Sequence, residues 1–226
     1  MVMKVQKEDN LAERLNDGIL KARKPLIALC VALVVIIVGL VACVLITDSS
    51  TKKALAQIDE IQYTLTTDVN DVSEDELAAR EEKALTALAP LTAKSGTIGS
   101  RANLLAAEIH FQKKDYEAAR TAWLAAASTK KNAYTAPLAY FNAAVCSENL
   151  ADNDAAVTYY TLASETKDFL LLDHALFNLG RVNEAKGDVN AAKAAYEKLT
   201  DAASGSNWVN LAKSRLLAFQ IAGTAE

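Results

Sequence analysis

Two hydrophobic patterns divide the chain. Residues 26–46 form an apolar run of 21 residues without a charged, amide or hydroxyl side chain. From about residue 50 onward, apolar residues instead recur at helical spacing among charged ones, which is typical of amphipathic helices. A helix of about 21 residues is about 30 Å long and matches the hydrocarbon core of a bilayer. The pattern predicts one transmembrane helix followed by an all-α domain.

The charges that flank the run predict its orientation. Residues 1–24 carry six Lys or Arg residues, and Lys21, Arg23 and Lys24 lie next to the run. On the other side, Lys52 and Lys53 are the nearby cations. Because cytoplasmic flanks are rich in Lys and Arg, we expect a single-pass protein with a cytoplasmic N-terminus. Residues 48–226 are then extracytoplasmic.

Cleavage after the run is the alternative to a retained anchor. The sequence "LVAC" at residues 40–43 resembles a lipoprotein cleavage box, in which Cys43 would be lipidated. However, residues 44–46 continue the apolar run, and the run is longer than the usual apolar region of a signal peptide. The pattern favours a retained anchor, and lipidation of Cys43 stays open.

The soluble part repeats one helical pattern three times. A buried-type alanine is followed four residues later by an aromatic residue, in the pairs Ala119 and Trp123, Ala156 and Tyr160, and Ala192 and Tyr196. A small residue lies twelve positions before each alanine, at Ala107, Ala144 and Gly180. A turn-like pair, such as Gly187-Asp188, separates the two halves of each copy. The copies are spaced by 37 and 36 residues, which predicts repeated helix hairpins.

This pattern resembles the tetratricopeptide repeat, a unit of two antiparallel helices. The resemblance implies an α-solenoid of about three to four hairpins, with repeats at about 99–132, 136–168 and 172–204 and a capping helix at 206–222. Residues 1–24 are then a basic leader, 25–47 the transmembrane helix, 48–98 a helical pair or degenerate repeat, and 99–226 the repeat domain. The segment "SGTIGS" at 95–100 is predicted to be a turn.

Catalytic and metal-binding patterns are not recognisable in the sequence. His110 and His174 are the only histidines and lack metal-ligand spacing to cysteine. The acidic segment 68–76 lacks the glycine and closing glutamate of a calcium loop. Residues 25–226 carry 18 Lys or Arg and 24 Asp or Glu residues, a poor match to nucleic acid. We expect no enzyme, cofactor, metal or small-molecule substrate.

The resemblance places ligands in a concave groove lined by the first helix of each hairpin. Its groove positions correspond here to Arg101, Leu104, Glu108, Phe111, Leu138, Phe141, Val145, Glu148, His174, Phe177, Arg181 and Glu184. An apolar stripe rimmed by Arg and Glu suits an apolar or amphipathic segment of a protein partner. Alternatively, the chain's own helix at 50–67 or 74–94 fills the groove, and Phe141 and Phe177 are then core residues.

The whole layout resembles bacterial ancillary SecYEG-translocon subunits with a tetratricopeptide-like periplasmic domain. That resemblance implies an adaptor in the inner membrane, with translocon subunits, chaperones or exported chains as partners. A scaffold subunit of an outer-membrane assembly or motility complex is the main alternative. An organelle import receptor that faces the cytosol is another, since such receptors also carry N-terminal anchors.

Overall fold

The computed structural model of the chain describes residues 6–69, 72–129, 134–202 and 205–223. Within these ranges the chain is helical, without β-strands. The helices are α1 (Gln6–Thr66), α2 (Glu74–Thr92), α3 (Gly96–Gln112), α4 (Tyr116–Thr129), α5 (Thr135–Asn149), α6 (Asn153–Ala163), α7 (Leu172–Ala185), α8 (Val189–Ala202) and α9 (Asn207–Gly223). They form two compact units, Met1–Lys53 and Ala54–Glu226. The predicted all-α repeat fold is confirmed.

The first unit contains the predicted membrane segment. From Ile27 onward α1 is long and apolar enough to span a bilayer, with a mean hydropathy of 3.5 over its most apolar stretch. Val35 and Ile46 are 65% and 68% exposed, as lipid-facing side chains would be. The predicted boundaries at residues 25 and 47 fall inside this helix. The orientation and the retained anchor stay predictions.

In the second unit, three hairpins share one type of turn. Just after the first helix of each hairpin, one residue has a left-handed backbone, with φ values of 60° at Lys114, 58° at Ala151 and 79° at Gly187. An aspartate follows in each turn, and its carboxylate accepts the backbone N–H three residues later, at Asp115, Asp152 and Asp188. Gly187-Asp188 is thus a helix stop and an N-cap. Glycine adopts that conformation without the strain that Lys114 and Ala151 carry.

Small residues let the two helices of each hairpin cross closely. Ala119, Ala156 and Ala192 are all 0% exposed. A Cβ atom on Gly180 would lie 2.4 Å from Cε1 of Tyr196, which is far inside van der Waals contact. The aromatic residues at the crossings are buried as well. The small and aromatic repeat positions are therefore the residues at which the two helices of each hairpin pack.

Helices at both ends of the array continue its packing. Ile58 and Ile61 of α1 form one apolar cluster with Leu88 of α2 and Leu105 of α3. The interpretation of residues 48–98 as a helical pair or a degenerate repeat stays a prediction. At the other end, α9 buries Val209 against α7 and α8, as predicted for a capping helix.

Candidate protein-binding groove

The twelve predicted groove residues lie on the first helices of the three hairpins, four each on α3, α5 and α7. Glu108 and Arg181 are exposed, Phe141 is buried and only 6% exposed, and the others are half-buried. Side chains in a shallow groove and side chains at a helix–helix junction are both half-buried, so burial does not distinguish the two. The contacts of each residue therefore decide what it can do.

Five of the predicted residues line one opening between α5 and α7, which we call the α5–α7 cleft. Its volume is about 500 Å³. It is lined by Phe141, Val145, Glu148, Asn149, Tyr160, His174, Asn178 and Arg181. The sequence interpretation did not include Asn149, Tyr160 or Asn178. In the sequence Asn149 and Asn178 have no distinguishing pattern, and Tyr160 is marked only as the aromatic residue of its repeat.

The ionic groups of the cleft bind each other. The Tyr160 hydroxyl donates to Oε1 of Glu148 at 2.6 Å, and Arg181 donates to Oε2 of the same carboxylate at 2.5 Å. Burial, and next the Glu148 carboxylate, raise the pKa of Tyr160 above its usual range. Tyr160 is therefore a neutral hydrogen-bond donor at physiological pH. Since Glu148 and Arg181 form an ion pair, a ligand would meet a dipolar rim.

Aromatic rings contact one another from the cleft towards the C-terminus. His174 lies 4.9 Å from Phe141, measured between ring centroids, and 4.2 Å from Trp208 with nearly parallel planes. Burial, and next the charge of Arg181, lower the pKa of His174 below its ordinary value. His174 therefore stacks as a neutral ring near pH 7.

Phe177 and Glu184, which were predicted to face a ligand, contact α9. The Phe177 ring lies 5.2 Å from the ring of Trp208. Glu184 accepts hydrogen bonds from Nε of Arg215 at 3.0 Å and from Nη2 of the same residue. Burial, together with the charge of Glu184, raises the pKa of Tyr196 to about 12. These residues stabilise the junction with the capping helix.

The first copy has different contacts. Arg101 pairs with Asp59 of α1 at 2.6 Å. Leu104 and Phe111 pack on the apolar cluster around Trp123. Among the described residues Glu108 has no ion-pair partner, although partial burial raises the pKa of its carboxyl above the ordinary value. It is therefore the predicted groove carboxylate most available to a ligand.

The chain's own N-terminal helices pack elsewhere than on Phe141 and Phe177. The apolar contacts of α2 and of residues 54–65 belong to the cluster with α3. The clusters around Phe141 and Phe177 draw on α5, α6, α7, α8, α9 and the loop residue Phe169. This packing favours an open cleft over one filled by 50–67 or 74–94, although both phenylalanines also contribute to packing between hairpins.

A second opening lies at the start of α5, and we call it the α5 edge pocket. Its volume is about 940 Å³, and Leu138 is its one predicted groove residue. Its lining consists of Tyr134, Ala136, Pro137, Leu138, Tyr140, Leu162, Glu165, Thr166, Asp168, Phe169, Leu170 and Leu171. The apolar run "FLLL" at 169–172, in part outside the helices, was the sequence signal that could have indicated this pocket.

Residues with metal-binding side chains are dispersed. Across the part of the chain that the structure describes, His, Cys, Asp and Glu form no group of three that could hold a metal ion. Cys146 is buried in α5, and burial raises the pKa of its thiol to about 11. A protonated, inaccessible thiol is a poor nucleophile.

Comparisons with known proteins agree with the repeat geometry. Residues 173–205, which cover α7 from its second residue and all of α8, match the family model described as Tetratricopeptide repeat. The chain is also 36% identical over 150 residues to the "TPR repeat-containing protein" of Treponema pallidum (strain Nichols). That alignment covers 66% of this chain and 61% of the Treponema protein, so the chain spans less than two thirds of that relative. Both findings support a tetratricopeptide-repeat protein.

Proposed function

We propose that this chain is a non-enzymatic adaptor that binds protein partners through the surface along α5. The main observation that supports this proposal is that α5 borders two openings, the α5–α7 cleft and the α5 edge pocket. One is rimmed by paired charges and the other is mainly apolar. An apolar centre beside a polar rim is the usual anatomy of a surface that binds a protein segment.

The chemistry of the cleft supports binding rather than catalysis. Glu148 accepts two hydrogen bonds, and Arg181 donates to Glu148. Tyr160 keeps its proton because its pKa is raised. An active site would require a free base or an activated nucleophile at such a position, and these three groups supply neither.

The adaptor is proposed to be anchored in a bacterial inner membrane, with its repeat domain in the periplasm. Three observations support this location: the apolar helix from Ile27 onward, the cations before it, and a bacterial relative. On the far side of the span Lys52 pairs with Asp48 at 2.7 Å, which weakens the positive charge there. Protease added to spheroplasts should digest the repeat domain. Protection until the inner membrane is lysed would contradict the orientation.

We further propose that the adaptor acts beside the protein-export translocon or its chaperones. The test is photo-crosslinking in living cells, with probes at Asn149 and Glu108. Both are exposed, whereas Phe141 is too buried to present a probe. The matched control is a probe at Lys198 of α8, which is exposed but does not line either opening. Crosslinks to translocon subunits, chaperones or exported chains from the groove probes alone are expected. Crosslinks confined to the chain itself would contradict the proposal.

A structural scaffold is the second candidate, and α9 favours it. Leu211 and Leu217 on this helix are 47% and 56% exposed, although terminal helices of a repeat array usually have a polar outer face. A permanent neighbour would bury them. Stoichiometric co-purification that the pair Leu211→Ser and Leu217→Ser abolishes would favour the scaffold over the adaptor.

A further inference from the structure

The α5 edge pocket has walls that are fixed by the fold. Its loop side is anchored by Phe169, whose ring lies 6.3 Å from the Phe141 ring in centroid distance. The Phe169 N–H donates to the Thr166 carbonyl at 3.1 Å, and the Leu172 N–H donates to the Phe169 carbonyl at 3.0 Å. Pro137 and Leu138, in the first turn of α5, form the opposite side. The pocket is thus a concavity between the start of α5 and a loop that these backbone hydrogen bonds hold.

Apolar side chains at the mouth of this pocket are open to water. Leu170 is 98% exposed and Tyr134 is 88% exposed. A leucine with nearly its whole surface in water is stabilised when a partner buries it, because apolar surface is removed from water. The volume of about 940 Å³ is large enough for more than one side chain, since ligand pockets span roughly 300–1,000 Å³.

The charged residues that line the pocket are both acidic. Glu165 and Asp168 have no ion-pair partner among the described residues. Lys167 lies between them in the chain but is not among the lining residues. Two carboxylates without ion-pair partners beside an apolar wall favour a cationic over an anionic group. An anionic lipid surface or a nucleic acid would be repelled there. A ligand that matches both features carries bulky apolar groups next to positive charge.

We propose that the α5 edge pocket binds a polypeptide segment in which bulky apolar residues adjoin lysine or arginine. The apolar residues enter between Leu138 and Leu170, and the cations lie beside Glu165 and Asp168. This inference rests on the proposed protein-binding function and specifies the chemistry of the segment that is bound. It concerns a different opening from the α5–α7 cleft.

The test uses the full chain in nanodiscs of neutral phosphatidylcholine and a fluorescent peptide. The probe peptide has three central leucines flanked by two lysines on each side, and empty nanodiscs give the background. Leu170→Ser should weaken binding about tenfold without changing the unfolding temperature, since Leu170 is almost fully exposed. The matched control is Val189→Ser, since Val189 is another exposed aliphatic residue and lies outside the pocket.

Charge variants test the second half of the proposal. Glu165→Gln combined with Asp168→Asn should weaken binding about threefold and reduce its dependence on salt. A peptide with glutamate in place of lysine should bind more weakly than the probe. Equal binding by both peptides, or full affinity in the Leu170→Ser variant, would overturn the inference. In that case crosslinks from Asn149 could still support the adaptor function, so the two failures are distinguishable.

Discussion

The junctions between hairpins differ along the array. After the second and third hairpins, a tyrosine, a glutamate and an arginine from three helices come together in one clamp, in which the arginine donates to the glutamate. The two clamps are Tyr160–Glu148–Arg181 and Tyr196–Glu184–Arg215. At the equivalent positions after the first hairpin the chain has Trp123, Phe111 and Val145. That junction is an alanine-rich apolar cluster, with one ion pair between Arg120 and Asp152 at 2.8 Å.

The comparison separates what builds the hairpins from what joins them. All three hairpins have the same left-handed turn, the same aspartate cap and the same buried alanine. The joining side chains can be ionic or apolar without a change of helix arrangement. At the apolar junction after the first hairpin, Nε1 of Trp123 is buried without a hydrogen-bond partner in the described structure. A buried unpaired donor costs about 1–3 kcal/mol.

The largest loss of stability is expected at the buried alanine that all three hairpins share. Ala156→Leu would add three carbon atoms at a crossing where the alanine is 0% exposed, and such overpacking costs about 3 kcal/mol. Ala194→Leu on the exposed side of α8 should change stability by less than about 0.5 kcal/mol. Thermal unfolding of the full chain in detergent, followed by circular dichroism, measures both. Equal unfolding temperatures for Ala156→Leu and the parent would show that the repeat register is wrong.

Gly180→Ala tests how the helix crossing of the third hairpin differs from that of the second. The second hairpin has Ala144 at this position, fully buried, whereas in the third a Cβ atom would overlap the ring of Tyr196. We expect a loss of about 2 kcal/mol, net of the better helix propensity of alanine. Denaturant unfolding measures it. The reverse change, Ala144→Gly, is the control and should cost about 1 kcal/mol through helix propensity. A stabilised Gly180→Ala variant would mean that the third hairpin can open like the second.

Tyr160→Phe removes one donor from the clamp that distinguishes the two regions. Glu148 then loses a hydrogen bond in a half-buried site, which should cost about 1.5 kcal/mol. The neighbouring Tyr159 is the matched control, since its hydroxyl has no hydrogen bond to a described residue. Tyr159→Phe should be nearly neutral. If chemical denaturation found the two variants equally stable, the clamp would not stabilise the junction.

The hairpins could be predicted from the sequence because their determinants are local. The alanine, the aromatic residue and the turn aspartate recur at fixed spacing and keep one role in each copy. The predicted turn at 95–100 is wrong, since α3 begins at Gly96. There a Cβ on Gly99 would lie 1.7 Å from the Lys94 carbonyl oxygen, so that glycine permits a close approach of the backbone rather than a break.

The open surface could not be predicted in the same way. Phe141 and Glu184 lie at helical spacing whether they meet a ligand or the next helix, and only the superhelical geometry decides. That geometry assigns Glu184 to Arg215 and Phe141 to the core, while Glu108 stays exposed. The α5 edge pocket combines residues from the ends of two helices and a loop, so no single periodic pattern marks it.

The smallest effect concerns pH, and it arises at the junction that carries His174. The second hairpin has Leu138 at the equivalent position. Because the pKa of His174 is lowered in the folded chain, the folded state favours the neutral ring. Its contribution to stability is present above the unfolded pKa of about 6.5 and is lost as pH falls through the lower folded pKa. Glu148 opposes this shift and Arg181 adds to it.

His174→Phe isolates that contribution, because phenylalanine keeps a ring between Phe141 and Trp208 but cannot titrate. The difference in stability between parent and variant should shrink or reverse in favour of the variant between about pH 7.5 and pH 5.5. Unfolding midpoints in denaturant, followed by tryptophan fluorescence, measure it. Carboxylates titrate in both proteins and cancel in the difference. Parallel pH profiles would show that His174 is solvated enough to accept its proton without cost, and the ring stack would then be looser than the 4.2 Å separation from Trp208 implies.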